Sequence, residues 1–166
     1  MTTPVITPII EARNLSIDYR LGKRWLSALH DITLSIDPLS IHGLVGESGS
    51  GKSTLALAMM RYLAPNARIT AGQILLDGDD LTTKSDREMQ SIWGRDINLV
   101  PQDALAALNP SYPVGDQIAE VTRRHEGLTH RQSWTRAVEM LDRVRTADPK
   151  TVARRYPHQL SGRMQQ

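Results

Sequence analysis

The sequence contains no cysteine and no long apolar run, and only 4% of its residues are aromatic. Because no disulfide can form without cysteine, nothing in the composition indicates an oxidising compartment. No apolar stretch approaches the length that crosses a bilayer. Residues 1–8 also lack the basic patch and long apolar segment of a secretion signal. These absences predict a protein of the cytoplasm.

The composition is otherwise that of a soluble globular protein, with 166 residues, 40% hydrophobic residues and 23% charged residues. The formal net charge of +2 is too small to indicate a nucleic-acid partner. Basic residues outnumber acidic ones by ten to five in residues 120–166. A solvated helix face explains this excess better than a nucleic-acid surface. We therefore expect no nucleic-acid partner.

Residues 46–54 fit the phosphate-binding pattern of a glycine, four residues, then Gly-Lys-Ser/Thr. Residues 41–45 predict a short buried strand before this loop, and residues 55–63 predict a helix after it. Lys52 would pair with the outer phosphates, and the Ser53 hydroxyl would ligate Mg²⁺. The pattern predicts a site for a nucleoside triphosphate that is formed by Gly46, Glu47, Ser48, Gly49, Ser50, Gly51, Lys52, Ser53 and Thr54.

Hydrophobic periodicity divides the chain into three parts. Residues 1–40 contain two alternating stretches that predict an antiparallel β hairpin or sheet edge. Residues 41–102 mix strands and helices, with strands at 73–77 and 96–100 and a short helix at 85–92.

Residues 103–166 predict helices only, at 114–124 and 129–145. Thr129 and Gln132 fit a capping box at the second of these helices. Its apolar stripe consists of Trp134, Ala137, Val138, Leu141 and Val144.

Three further landmarks resemble those of ATP-binding-cassette (ABC) transporter ATPases, in the order of that family. Tyr19 resembles the aromatic residue on which adenine stacks. Gln102 resembles the glutamine that reaches Mg²⁺ and the attacking water, which makes it the catalytic candidate. Ser161 and Gly162, within residues 156–166, resemble the signature that caps the ATP of the opposite subunit.

The resemblance implies an α/β P-loop NTPase core with an N-terminal antiparallel β subdomain and a C-terminal helical subdomain, incomplete at the C-terminus. Residues 101–118 and 156–159 are most similar to the dipeptide, oligopeptide and nickel importer branch. This implies ATP and Mg²⁺ as cofactors, and import of peptides or similar small solutes through an inner-membrane permease. The implied partners are permease subunits, a second ATP-binding subunit in a homo- or heterodimer, and indirectly an external solute-binding protein. The implied location is the cytoplasmic face of the inner membrane.

Several family elements are missing from the sequence or altered in it. The Walker B aspartate, the catalytic glutamate and the switch histidine follow the signature in the family, whereas this sequence ends at Gln166. Asp77 follows an apolar stretch, but residues 77–80 are more typical of a turn. Arg163 replaces the second signature glycine, and Leu39 and Ser40 replace a Gly-Glu pair. We therefore expect a truncated product or fragment without ATPase turnover, and with exposed strand edges.

Two other functions stay open at this point. One is a non-catalytic remnant that binds nucleotide weakly or not at all. The other is a different P-loop enzyme, such as a small-molecule kinase, for which the signature and Gln102 would be coincidences.

Overall fold

The computed structural model describes residues 7–165 of the chain. These residues form two compact units, which divide between Gln90 and Ser91. The first unit is a sheet with two helices, and the second is helical.

The first unit is built on a four-stranded antiparallel sheet with the order β2-β1-β3-β4. Its strands are β1 (Ile10–Leu21), β2 (Arg24–Ile36), β3 (Ala67–Leu76) and β4 (Asp79–Asp80). The predicted hairpin is confirmed. The third strand begins six residues before the predicted residue 73.

The central strand β1 carries the core of this unit. Ala12, Leu15 and Ile17 are fully buried, and β1 pairs with β2 on one side and β3 on the other. Gly72 is required where β3 crosses the irregular middle of β1. An added Cβ there would lie 2.4 Å from the carbonyl oxygens of both Arg13 and Asn14.

Two helices belong wholly or mainly to this unit, α1 (Lys52–Met59) and α2 (Asp86–Ile92). Helix α1 ends earlier than the predicted residue 63, because Arg61 adopts a left-handed backbone conformation with φ of 51°. Helix α2 starts at a reciprocal cap, in which the Ser85 N–H donates to the Glu88 carboxylate and the Glu88 N–H donates to the Ser85 hydroxyl.

The turn after β3 is confirmed as a turn. Asp77 and Gly78 both have positive φ, 50° and 84°, and β4 then pairs back onto β3. Asp77 therefore belongs to a hairpin connection and does not end a buried parallel strand.

Two predicted strands are wrong. Residues 41–45 form no strand, and Ile41 and Val45 are exposed. Residues 96–100 form only an isolated bridge between Trp93 and Ile97, and Val100 is 82% exposed. A strand needs a neighbour for its backbone N–H and C=O groups. No described strand lies beside either segment, so the apolar pattern alone does not produce the strand.

The second unit contains helices and, among residues 103–165, no strand. The helices are α3 (Ala104–Ala107), α4 (Val114–Glu126), α5 (His130–Arg143), α6 (Pro149–Ala153) and α7 (Gly162–Gln165). The predicted capping box is confirmed at the start of α5. The Thr129 N–H donates to the Gln132 side chain over 3.0 Å, and the Gln132 N–H donates to the Thr129 hydroxyl over 3.4 Å.

The core of the second unit lies between α4, α5 and α6 and extends to Leu160. Its buried members are Val114, Leu141, Val152, Ala153 and Leu160, with Ile118, Trp134 and Val138 packed against them. Val144 was wrongly predicted on this stripe, since it is 73% exposed. Helix α5 ends at Arg143, so the helical period no longer directs Val144 to the core.

Candidate functional site

The glycine-rich segment forms a loop that leads directly into α1. The Ser50 N–H donates to the Glu47 carbonyl over 3.2 Å, which closes a tight turn. The Leu55 N–H donates to the Gly51 carbonyl over 2.8 Å, which is the first hydrogen bond of α1. Of the predicted strand, loop and helix, the structure therefore contains the loop and the helix.

The Lys52 ammonium group is held inside the curve of this loop. It donates to the Gly46 carbonyl over 2.8 Å, to the Glu47 carbonyl over 2.6 Å, and to the Ser50 hydroxyl over 3.4 Å. Carbonyl oxygens from one end of the loop thus fix a positive charge that comes from the other end. A ligand phosphate would meet a cation whose position is already set by the loop.

The start of α1 suits an anion. The N-cap residue Gly51 has no side chain, no side-chain cap bond is made there, and the first turn contains no acidic residue. The first backbone N–H groups of a helix have no partner within the helix, and the helix dipole adds partial positive charge. Phosphate oxygens would fit the amide groups of Lys52, Ser53 and Thr54, so the residues present are compatible with a bound nucleotide.

Gly51 also fixes the loop against the sheet. Its φ is 90°, and an added Cβ would lie 2.8 Å from the Leu29 side chain and 3.3 Å from the Ala28 carbonyl oxygen. Leu29 is a supporting residue that sequence reasoning missed. No alternating pattern indicates it, because Leu29 is out of step with the apolar residues at 32, 34 and 36, and the pairing register of β2 shifts between these positions and Leu29.

Tyr19 lies on the sheet face that meets the start of α1. Leu29 is paired with Ile17, and the pairing of β1 with β3 is regular from Ile17 to Tyr19. Side chains two residues apart on a strand point to the same face, about 7 Å apart along it. Tyr19 is half-buried and pairs with Leu26 on one side and Ala67 on the other. Tyr19 and the loop thus belong to the same unit.

The other predicted site residues belong to the second unit. Gln102 is exposed in the irregular segment before α3. Ser161 and Gly162 are exposed at the start of the four-residue helix α7, where the Ser161 carbonyl accepts from the Met164 N–H over 2.8 Å. The roles of Gln102, Ser161 and Gly162 stay predictions.

Gln117 organises the segment that follows Gln102, and sequence reasoning missed it. Its side-chain NH₂ donates to the Asn109 and Tyr112 carbonyls over 2.9 Å each, while its oxygen accepts from the Asn109 N–H over 2.9 Å. One amide side chain thus holds residues 109–112 against α4. An amide at this position has no sequence signal that separates it from a solvent-exposed helix residue.

The described residues offer neither an acidic metal cluster nor a membrane-spanning helix. Within residues 7–165, no group of three or more His, Cys, Asp or Glu side chains is placed to hold a metal ion. Coordination of Mg²⁺ by Ser53 and Gln102 would use different ligand types and stays a prediction. None of the described helices has both the length and the apolar character needed to cross a bilayer.

Comparisons with solved structures show the fold. The chain is similar to the ATP-binding cassette MJ0796 bound to ADP and Pi, with a TM-score of 0.78 and 23% identity. A dimeric structure of MJ0796, a bacterial ABC transporter cassette, gives a TM-score of 0.79 and 24% identity. Each match covers 94% of this chain and 65% of the other. The predicted ABC ATPase fold is confirmed, as an incomplete version.

Sequence comparisons show the family. A Brucella melitensis protein is 42% identical over 162 residues, and a Brucella abortus protein is 40% identical over 159 residues. Both carry the name "Putative peptide import ATP-binding protein", and each match covers 96% of this chain. The chain spans 48% of the length of either relative. The family model described as ABC transporter matches residues 29–166, so this chain belongs to the ABC transporter family.

Proposed function

We propose that this chain is the ATP-binding subunit, or the N-terminal part of one, of an importer for peptides or similar small solutes. The observation that carries the proposal is the Lys52 ammonium group, held by the Gly46 and Glu47 carbonyls at the uncapped start of α1. A fixed cation beside unpaired helix amides is an arrangement for binding phosphates. The names of the two Brucella relatives support peptide import as the process that is energised.

In this proposal several residues share the tasks of binding ATP and Mg²⁺. Lys52 and the amides of residues 49 and 51–54 bind the phosphates, and Tyr19 provides a flat apolar surface for the adenine ring. The Ser53 hydroxyl and the Gln102 amide would hold Mg²⁺, which would neutralise phosphate charge when bound. Gln102 also positions the attacking water.

The proposed mechanism of coupling is closure of two ATP-binding subunits on a permease. Ser161 and Gly162 of one subunit cap the nucleotide bound to the loop of the other subunit, which is a homologous or identical chain. The complex lies on the cytoplasmic face of the inner membrane, and an external solute-binding protein delivers the solute. Closure driven by nucleotide binding provides the conformational work.

The proposal is tested by calorimetry of Mg-ATP binding to the wild-type chain, Lys52→Ala and the control Lys150→Ala. Charge-assisted hydrogen bonds contribute about 1.5 to 3 kcal/mol, so we expect Lys52→Ala to weaken binding by roughly tenfold to a hundredfold. Lys150 is an exposed residue of α6, so its replacement should leave the affinity unchanged. Equal affinity for all three proteins, or no binding by the wild type, would refute the site.

A further inference from the structure

The turn between β1 and β2 combines exposed basic and exposed apolar side chains. We call residues 20–25 the hairpin tip. Arg20, Lys23 and Arg24 are exposed, Leu21 is 71% exposed, and Trp25 is 39% exposed. The predicted adenine-binding residue, Tyr19, lies just before the tip and does not belong to it.

The hairpin tip projects beyond the rest of the sheet. Strand β3 begins at Ala67, opposite Tyr19, and the Arg20 N–H donates to the carbonyl of Asn66 just before it, over 2.7 Å. Beyond this point β1 and β2 pair only with each other. Gly22, with φ of 62°, completes the tight turn. The turn thus presents its basic and apolar side chains together at one end of the unit.

Trp25 is held in a fixed position on this projection. The Arg68 guanidinium group lies 3.9 Å from the centre of the Trp25 ring, and Arg68 also pairs with Asp18 over 3.3 Å. The guanidinium group covers one face of the indole, so a nucleic-acid base cannot stack on that face. The rest of the indole stays partly exposed, on the opposite face of the hairpin from Leu21, because Trp25 pairs with Arg20 and Leu21 pairs with Arg24. Each face of this basic turn thus carries an exposed apolar side chain. These features favour a binding partner whose surface is both anionic and apolar.

We propose that the hairpin tip binds the surface of a membrane that contains anionic phospholipids. Arg20, Lys23 and Arg24 contact headgroup phosphates, because basic side chains are attracted to the negative potential of such a surface. Leu21 and Trp25 enter the region between headgroups and acyl chains, where tryptophan is favoured. A membrane location agrees with the proposed importer function, but the inference rests on the tip alone and does not require ATP binding.

Vesicle co-sedimentation of the 166-residue chain tests this inference. The vesicles consist of phosphatidylcholine alone or of phosphatidylcholine mixed with phosphatidylglycerol. The tip variant Arg20→Gln/Lys23→Gln/Arg24→Gln is compared with the control Arg143→Gln/Arg145→Gln/Lys150→Gln, which removes the same charge from exposed positions of the second unit. Neither variant changes an apolar residue. Calorimetry with Mg-ATP and circular dichroism show whether each variant keeps its site and its fold.

We expect the wild type to bind the mixed vesicles and not the neutral ones. Each basic side chain contributes roughly fivefold to partitioning, so the tip variant should bind roughly a hundredfold more weakly while the control variant binds like the wild type. Raising the salt concentration should also release the wild type. Equal binding by the two variants, wild-type binding to neutral vesicles, or tip-dependent binding of single-stranded DNA without vesicle binding would overturn the inference. Loss of Mg-ATP binding alone would contradict the proposed function and leave this inference standing.

Discussion

Strand β1 and residues 41–45 both carry apolar residues that predict a strand, but only β1 forms one. Strand β1 pairs on both edges, and its Ile17 is fully buried. Residues 41–45 form no strand, and Ile41 is fully exposed. The difference lies in the neighbours, because β1 has β2 and β3 beside it while residues 41–45 have no described strand beside them. An apolar pattern therefore specifies a strand only where backbone partners exist.

The largest expected effect separates these two regions directly. Ile17→Ala should destabilise the chain by about 2 to 5 kcal/mol, because it removes buried methyl groups and leaves a cavity. Ile41→Ala should change stability by less than about 0.5 kcal/mol, because the side chain already contacts water. Urea unfolding of both variants measures the difference. A comparable loss for the two would mean that residues 41–45 are packed in solution.

A second comparison tests how closely β3 approaches β1. Gly72 and Gly78 have the same φ of 84°, but only at Gly72 would a Cβ meet backbone atoms, at 2.4 Å. Gly78→Ala should cost about 1 to 2 kcal/mol for the left-handed backbone alone. Gly72→Ala should cost about 1 to 3 kcal/mol more, because two strands must separate.

Thermal unfolding and backbone amide exchange of β1 measure this difference between the glycine variants. If Gly72→Ala were no worse than Gly78→Ala, the contact between β1 and β3 would be looser than the structure shows.

The smallest expected effect concerns the cap of α2. The Ser85 hydroxyl and then the Ser85 N–H hold the pKa of the Glu88 carboxyl below its ordinary value of 4.5. Because the folded-state pKa is the lower one, the stabilisation is present above the unfolded-state pKa and is lost as pH falls through the folded-state pKa.

Glu88→Gln should therefore be slightly less stable than the wild type at neutral pH and equally stable once Glu88 is protonated. Urea unfolding, measured from neutral pH down through the folded-state pKa of Glu88, shows whether the two stabilities become equal. A stability difference that stays constant with pH would show that the carboxylate charge does not contribute.

The sequence predicts some parts of the fold and site better than others, for physical reasons. The β1-β2 hairpin and the Thr129 cap depend on nearby residues, so local patterns identify them. The failed strands at 41–45 and 96–100 depend on neighbours that no local pattern supplies. Gln117 was missed because its bonds to Asn109 and Tyr112 become visible only when the loop lies against α4.

The central claim is that Tyr19 and the Lys52 loop form one site with two separate tasks. Calorimetry with Mg-ATP and with inorganic triphosphate, on Tyr19→Ala and Lys52→Ala, tests it most directly. We predict that Lys52→Ala weakens the binding of both ligands by similar factors. Tyr19→Ala should weaken the binding of ATP alone, by about 0.5 to 1.5 kcal/mol in addition to the effect of the lost contact area. Equal loss of ATP and triphosphate in Tyr19→Ala would contradict the claim and make Tyr19 a structural residue of the sheet.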